Sequence, residues 1–169
     1  MTQVVELKVA STAITCLVLD TGSLHCALSL ADGCLCLFSF PAMLVGQLVS
    51  EGILASSQAV RCLGWGNGPS REWLAAGKED GYLSIYIESR TGWRETLALH
   101  LHQGDILDLS WAGEQLVTAS VDNSIVVLAV RTLEGVLQAA VVQVVETHLG
   151  WVTGLVHFQG QLFVQVVVP

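Results

Sequence analysis

Three side chains in the second half of the sequence are of types that could do covalent chemistry together. His102, Thr118 and Asp122 supply a base, a hydroxyl and a carboxylate, the set with which hydrolases activate a nucleophile. Such catalysis also needs an exposed nucleophile beside an oxyanion hole, usually on a strained turn such as G-x-S-x-G, and the sequence has no such turn. A hydrolase using these residues stays an alternative, and we favour a structural role for them.

Two pairs of side chains have the types of metal ligands. Cys34 and Cys36 alternate along one apolar run, and so do His100 and His102, which places each pair on one face of a strand. Neither pair has third and fourth ligands at the spacing of a zinc site. The five cysteines form an odd set in the first 62 residues, which is not the spacing of a disulfide framework. We therefore expect reduced thiols, no metal and no cofactor.

The charge of the chain limits the class of partner. Fifteen acidic and seven basic side chains give a formal net charge of -8. Nucleic-acid affinity comes largely from Lys and Arg neutralising phosphates, so we expect no direct binding of nucleic acid. A basic protein partner remains compatible with this charge.

Neither the start of the chain nor its most apolar region resembles a membrane segment. The opening MTQVVELKVASTA lacks a basic region followed by a continuous apolar stretch. The apolar region near residue 130 is broken by Arg131, Glu134 and Gly135, so it falls short of the roughly 20 apolar residues that span a bilayer. We expect an intracellular protein, nuclear or cytoplasmic, that does not bind membranes.

The candidate residues belong to a segment that recurs along the chain. Runs reading ITCLVL, VRCLGW, ILDLSW and VTGLVH begin at Ile14, Val60, Ile106 and Val152, and each start lies 46 residues after the previous one. A short polar or glycine-containing turn and a second apolar run follow each of them. This pattern predicts a strand, a turn and a second strand in each repeat.

Three of the repeats continue with an acidic turn, at Asp32, Asp80 and Asp122, and then a third and a fourth apolar segment. Four strands in a unit of about 40 to 45 residues are typical of a propeller blade. The sequence thus predicts an all-β fold, a partial β-propeller with blades at about 10–50, 56–98 and 102–144 and an incomplete blade at 148–169. A parallel α/β fold fits worse, because the one helix-like stretch carries Gly135 and a β-branched tail.

The repeats resemble degenerate WD repeats, whose pattern has His before the first strand, Ser or Thr in the second, Asp in the hairpin and Trp ending the third. In the third repeat His102, Thr118 and Asp122 match, and Leu128 replaces the Trp. The resemblance implies a non-catalytic scaffold and a structural hydrogen-bond network made by His102, Thr118, Asp122, Asp80 and Asp32. The other repeats depart further, with Ser56, Ala76 and Tyr86 in the second and Ala10, Leu28 and Phe38 in the first at the His, Ser or Thr, and Trp positions.

The same resemblance indicates where partners bind. The family binds mostly through the inner loop surface, which points to Lys78, Glu79, Asp105 and Trp151 as candidate contact residues. Trp73 and Trp93 also lie near turns, where the alternative to an exposed interface anchor is packing between blades.

A narrower similarity covers about 30 residues of the third repeat. The block HQGDILDLSW followed by ASVDN is similar to the propellers of HIRA-type histone chaperones and the related chromatin-assembly-factor subunit. It implies histones or chaperone co-subunits as partners. An alternative source is the terminal propeller of a large multidomain protein of the telomerase-associated or nucleotide-binding sensor type.

Closure of the ring is the last expectation from the sequence. Propellers close with about 4 to 8 blades, whereas the repeats here make three blades and part of a fourth. We expect a fragment or shortened form whose ring needs further blades or a second chain.

Overall fold

The computed structural model describes residues 12–20, 25–39, 49–56, 58–67 and 72–168. Within these residues every regular element is a β-strand, which confirms the predicted all-β fold. The strands, in chain order, are β1 (Ile14–Leu19), β2 (His25–Leu30), β3 (Cys34–Ser39), β4 (Val49–Ala55), β5 (Val60–Asn67), β6 (Glu72–Lys78), β7 (Tyr82–Ser89), β8 (Gly92–His100), β9 (Ile106–Ala112), β10 (Gln115–Ser120), β11 (Ile125–Leu133), β12 (Val136–Val145), β13 (Trp151–Phe158) and β14 (Gln161–Val167).

The strands form four antiparallel sheets in which neighbours in sequence are neighbours in space. The first three sheets contain β1–β4, β5–β8 and β9–β12, and the fourth contains β13 and β14. The helix-like stretch around Gly135 forms the end of β11, a turn at Gly135 and the strand β12, and it contains no helix. Each complete sheet has the four-stranded meander of a propeller blade, which confirms the predicted partial propeller.

The first strand of each sheet lies beside the first strand of the next, in the order β1, β5, β9 and β13. Each of these inner strands contains a β-bulge near its start, at Thr15, Arg61, Leu107 or Thr153. A bulge twists and bends a strand locally. Its recurrence every 46 residues shows that the repeats are equivalent in backbone as well as in sequence.

The core lies between the sheets. One cluster of buried residues joins the first and second sheets, and includes Leu37 and Leu74. A second cluster joins the second and third sheets around Trp73 and Leu128, and a smaller one joins the third and fourth around Leu155. Each sheet is therefore held by apolar packing on its neighbours along the chain.

A repeated hydrogen bond also joins adjacent inner strands. Trp65 Nε1 donates to the Val18 carbonyl at 3.4 Å, and Trp111 Nε1 donates to the Gly64 carbonyl at 3.1 Å, each across 47 residues. In the fourth sheet His157 stands at the equivalent position and its Nδ1 lies 3.1 Å from the Ser110 hydroxyl.

Candidate functional site

The three candidate side chains of the third repeat meet at the end of its sheet where β9 begins. His102, in the loop before β9, has Nε2 2.8 Å from the Thr118 hydroxyl of β10. Its Nδ1 lies 3.1 Å from Asp122 Oδ2 and 2.9 Å from the Ser124 hydroxyl, both in the turn between β10 and β11. The Gln103 amide also donates to Asp122 Oδ2. These bonds tie the loop before β9 to the β10–β11 turn.

The imidazole in this network is held neutral. Burial lowers the pKa of His102 below its ordinary value, and the attraction of Asp122 only partly opposes that effect. For Asp122, burial acts to raise the pKa, but hydrogen bonds from Ser124 and Gln103 outweigh it and the net pKa is lowered. A neutral ring beside a carboxylate has its proton on Nδ1, which leaves Nε2 to accept from the Thr118 hydroxyl.

The histidine and the threonine of the network are buried. Thr118 is 0% exposed and His102 is 1% exposed. A hydrolytic nucleophile must reach a substrate carbonyl and a neighbouring oxyanion hole, whereas the Thr118 hydroxyl is buried against His102. The geometry provides tight, local cross-linking of two loops.

The aspartates of the other two hairpins make a smaller part of the same arrangement. Asp32 Oδ1 accepts the Cys34 amide at 3.0 Å and Asp80 Oδ1 accepts the Tyr82 amide at 3.2 Å, as Asp122 Oδ1 accepts the Ser124 amide. Each carboxylate thus forms an Asx-turn, in which the side chain accepts a hydrogen bond from the backbone amide two residues later. In the second repeat Ala76 stands at the position of Thr118 and offers no hydroxyl for a wider network around Asp80.

A different polar cluster occupies the second sheet. Glu95 on β8 accepts hydrogen bonds from Ser84 and Tyr86, and Lys78 Nζ lies 4.0 Å from its Oε2. The Lys78 side chain is only 5% exposed. Burial, followed by the charge of Glu95, raises the pKa of Tyr86 to about 12. Lys78, a candidate partner contact from the sequence, is thus enclosed between sheets rather than presented to solvent.

The other candidate partner residues lie at the surface. Arg61 pairs with Glu79 at 3.3 Å and with Asp105 at 3.2 Å, which links the second sheet to the loop before β9. Trp151, at the start of β13, is 45% exposed. Trp73 and Trp93 are buried, and the ring of Trp93 lies edge-on to Trp65 with centroids 5.4 Å apart.

The loops at this end of the inner strands, which we call the acidic end, concentrate one sign of charge. In the part of the chain that the structure describes, Arg61 is the sole exposed Arg or Lys there. An exposed apolar pair, Leu149 at 88% and Trp151 at 45%, lies in the connection to β13 at the same end. The acidic side chains of this end are Asp32, Glu79, Asp80, Asp105, Asp122 and Glu146.

One polar residue at a sheet junction had no signal in the sequence. Asp108 on β9 is half-buried. Its Oδ2 accepts a hydrogen bond from the Leu155 amide of β13 at 2.7 Å, and its Oδ1 accepts one from the amide of its neighbour Leu109. Burial raises the pKa of Asp108 in spite of these bonds. The equivalent residues of the first and second repeats are Cys16 and Cys62. Alignment of the repeats therefore shows that Asp108 differs from them but does not indicate what it contacts.

Among the residues that the structure describes, no group of three or more His, Cys, Asp or Glu side chains is arranged so that it could hold a metal ion. All five cysteines are free thiols. Burial raises the pKa of Cys16, Cys26 and Cys36, and raises that of Cys62 well above its ordinary value. Across the described residues, no helix could span a membrane.

Comparison with known proteins defines the class of fold. No protein-family model matches the chain. The fold is similar to a chain of the mitotic checkpoint complex, with a TM-score of 0.70 and 17% identity over 90% of this chain and 44% of that one. It is similar to the WD40 repeats of RRP9 with a TM-score of 0.68 and 18% identity, over 86% of this chain and 42% of that one. It is also similar to the computationally designed Ika4 protein over 99% of both chains, with a TM-score of 0.71 and 20% identity. The chain is built of WD-type β-propeller blades, as the repeat pattern predicted.

A single stretch carries closer similarity in sequence. Over 93 residues the chain is 36% identical to a chromatin assembly factor 1 subunit FAS2 homolog of Oryza sativa subsp. japonica. The match includes 52% of this chain and 17% of the rice protein. The chain therefore spans under a fifth of that relative and less than half of the two WD-type chains above.

Proposed function

We propose that this chain is a non-catalytic scaffold for protein–protein interaction and that it binds a basic partner at the acidic end. The observation that supports this most directly is the segregation of charge described above, where six acidic residues share one end of the sheets with a single exposed cation, Arg61. Potentials of opposite sign accelerate and orient encounter between proteins. The exposed Leu149 and Trp151 supply apolar anchors next to the carboxylates.

A chromatin protein is the basic partner that the similarity in sequence favours. The rice relative is named as a subunit of chromatin assembly factor 1, and the net charge of -8 suits a strongly basic ligand. We therefore propose histones, or the co-subunits of a histone chaperone, as partners and the nucleus as the location. Glu79, Asp105 and Trp151 are the proposed contacts, and Lys78 is too buried to join them.

The scaffold acts within a larger assembly in this proposal. The four sheets follow one another through contacts between inner strands, from β1 to β13. A role for His102, Thr118 and Asp122 in hydrolysis is disfavoured by the burial of the hydroxyl.

The test is a binding titration with a histone H3–H4 tetramer, measured by fluorescence anisotropy at several salt concentrations. Replacing Glu79→Gln and Asp105→Asn removes two charges from the acidic end and leaves Arg61 without these partners. Exposed charge pairs contribute up to about 1 kcal/mol each, so the loss of two should weaken binding by up to about thirtyfold. The loss should shrink as salt rises.

The matched control removes the same charge at the opposite end of the sheets. Glu114 forms a surface ion pair with Arg131 at 2.7 Å, as Glu79 does with Arg61. Glu114→Gln with Glu134→Gln should leave histone affinity within twofold. Equal losses of affinity in the two double variants would show that histones respond only to the net charge of the chain and do not bind the acidic end. Absence of histone binding to the unaltered chain would refute the chromatin assignment.

A further inference from the structure

Three valines near the end of β12 are exposed together. Val141, Val142 and Val144 are 53%, 58% and 49% exposed, and we call these three residues the valine patch. They lie on the outer strand of the third sheet, which has all four of its strands. Single apolar side chains at a surface are ordinary, whereas several that adjoin one another are typical of interaction sites.

The valine patch lies at the junction of two complete sheets. Val141 pairs with Leu128 and Val144 pairs with Val126, and both partners belong to the buried cluster between the second and third sheets. Leu137, nearer the start of β12, belongs to the same cluster and is 5% exposed. The junction is therefore closed around Leu137 and leaves Val141 and Val144 exposed towards the acidic end.

The outer strands of the other complete sheets differ at the same register. Val141, Glu95 and Ser50 occupy equivalent positions, each opposite the residue at the Trp position of its repeat. Glu95 accepts hydrogen bonds from Ser84 and Tyr86 within its own sheet. A valine makes no such bond, so apolar surface at this register belongs to the third sheet and is not a feature of the repeat.

The valine patch is continuous with the acidic end. The strand β12 contains no Asp, Glu, Lys or Arg, and Glu146 follows it directly. Val145 pairs with Ile125, which begins β11 just after the turn that holds Asp122. A second copy of the chain, with its net charge of -8, would bring like charges together here. A basic segment would meet opposite charge.

We propose that the valine patch binds apolar side chains of the same basic partner segment whose charged groups lie on the acidic end. This inference rests on the proposed function and adds the chemistry of the partner, which has branched or aromatic apolar residues next to its lysines or arginines. The carboxylates attract and orient the segment. Burial of apolar side chains on the valines supplies affinity that salt does not screen.

The probes are two fluorescently labelled peptides, one of alternating Val and Ser followed by a run of lysines, the other with Ser in place of each Val. Fluorescence anisotropy at low and high salt measures their affinity for the 169-residue chain. The Val peptide should bind about tenfold more tightly, and this difference should persist at high salt. Val141→Thr with Val144→Thr keeps the branched shape and the strand propensity. It should abolish the difference and leave the affinity for the Ser peptide unchanged.

Leu133→Thr with Val136→Thr is the matched control, because these residues are 54% and 59% exposed at the other end of the same sheet. It should leave both affinities unchanged. A Val peptide that binds no better than the Ser peptide, or equal losses in the two threonine pairs, would overturn the proposal. Self-association of the chain that Val141→Thr with Val144→Thr abolishes would assign the valine patch to a second copy instead.

The same titrations separate this proposal from the proposed function. Glu79→Gln with Asp105→Asn should weaken both peptides by the same factor. If only the Val peptide binds, and the Val141 and Val144 variant abolishes that binding, the acidic end is refuted and the valine patch keeps its apolar ligand. If both peptides bind equally, the valine patch is refuted and the acidic end stands. If neither peptide binds, both proposals are wrong.

Discussion

Trp111 Nε1 donates a hydrogen bond to the carbonyl of Gly64 on the neighbouring inner strand, 47 residues earlier, and the indole lies flat against Gly66. A Cβ built on Gly66 would be 2.6 to 2.9 Å from three carbons of this ring. The donor on one strand and the missing side chain on the other are thus parts of one contact. Trp65 repeats the hydrogen bond one blade earlier, to the Val18 carbonyl.

Gly66→Ala should therefore destabilise the junction of the second and third sheets. The new methyl overlaps a half-buried ring, and overpacking of this kind typically costs about 1 to 3 kcal/mol. The measurement is the free energy of unfolding from urea denaturation. Trp111→Leu in the same background removes the ring, so the double variant should recover part of the loss in a mutant cycle. Purely additive losses would show that the ring is not the obstacle.

Thr118→Val tests the hydrogen-bond network without changing its volume. The substitution removes the hydroxyl that lies 2.8 Å from His102 Nε2 and leaves a buried acceptor unpaired, which costs about 1 to 3 kcal/mol. The free energy of unfolding should fall by that amount. Val117→Thr, which adds a hydroxyl at the adjacent buried position, is the contrasting variant and gains no such partner. An unchanged stability for Thr118→Val would mean that the network contributes little to folding.

The sequence predicts the positions of the strands better than the contacts between the sheets. The period alone predicts the strand starts at Ile14, Val60 and Ile106, and it predicts the start of β13 to within one residue, because apolar alternation and turn residues indicate strands directly. It does not predict the junction contacts, since Trp111 and Gly66 lie 45 residues apart and only the stacking of sheets brings them together. The burial of Lys78 was not predicted, for the same reason. Its partner Glu95 is two strands away, and the position of Lys78 beside a turn suggested that it is exposed.

The stability of the chain should fall on mild acidification because of His102. Its pKa is lowered in the fold, so below its usual value of about 6.5 the unfolded chain binds a proton that the native chain resists. The loss begins near pH 6.5 and grows as pH falls towards the lowered native pKa. Asp122 adds a separate loss at lower pH, because its lowered pKa stabilises the fold above the ordinary aspartate value.

Urea denaturation at pH 7.5, 6.5 and 5.5 measures this slope. His102→Asn should flatten it, whereas His100→Gln, which alters an exposed imidazole two residues away, should leave it in place. The midpoint of His102 titration in NMR spectra should lie below 6.5. A slope that survives His102→Asn would assign the pH dependence to other groups.

Asp108→Ala should loosen the fourth sheet selectively. The carboxylate accepts the Leu155 amide at 2.7 Å, and this bond crosses from β9 to β13 where the fourth sheet has only two strands. A two-stranded hairpin has little stability of its own, so its attachment depends on the third sheet. Loss of the acceptor leaves a buried amide unpaired, at a cost of about 1 to 3 kcal/mol. Hydrogen exchange at Leu155 and its β13 neighbours should accelerate by about 5- to 150-fold, the equilibrium equivalent of that energy, while β5 and β6 amides keep their protection. Uniform acceleration across all four sheets would show instead that the chain opens as one unit and that Asp108 supports the whole stack.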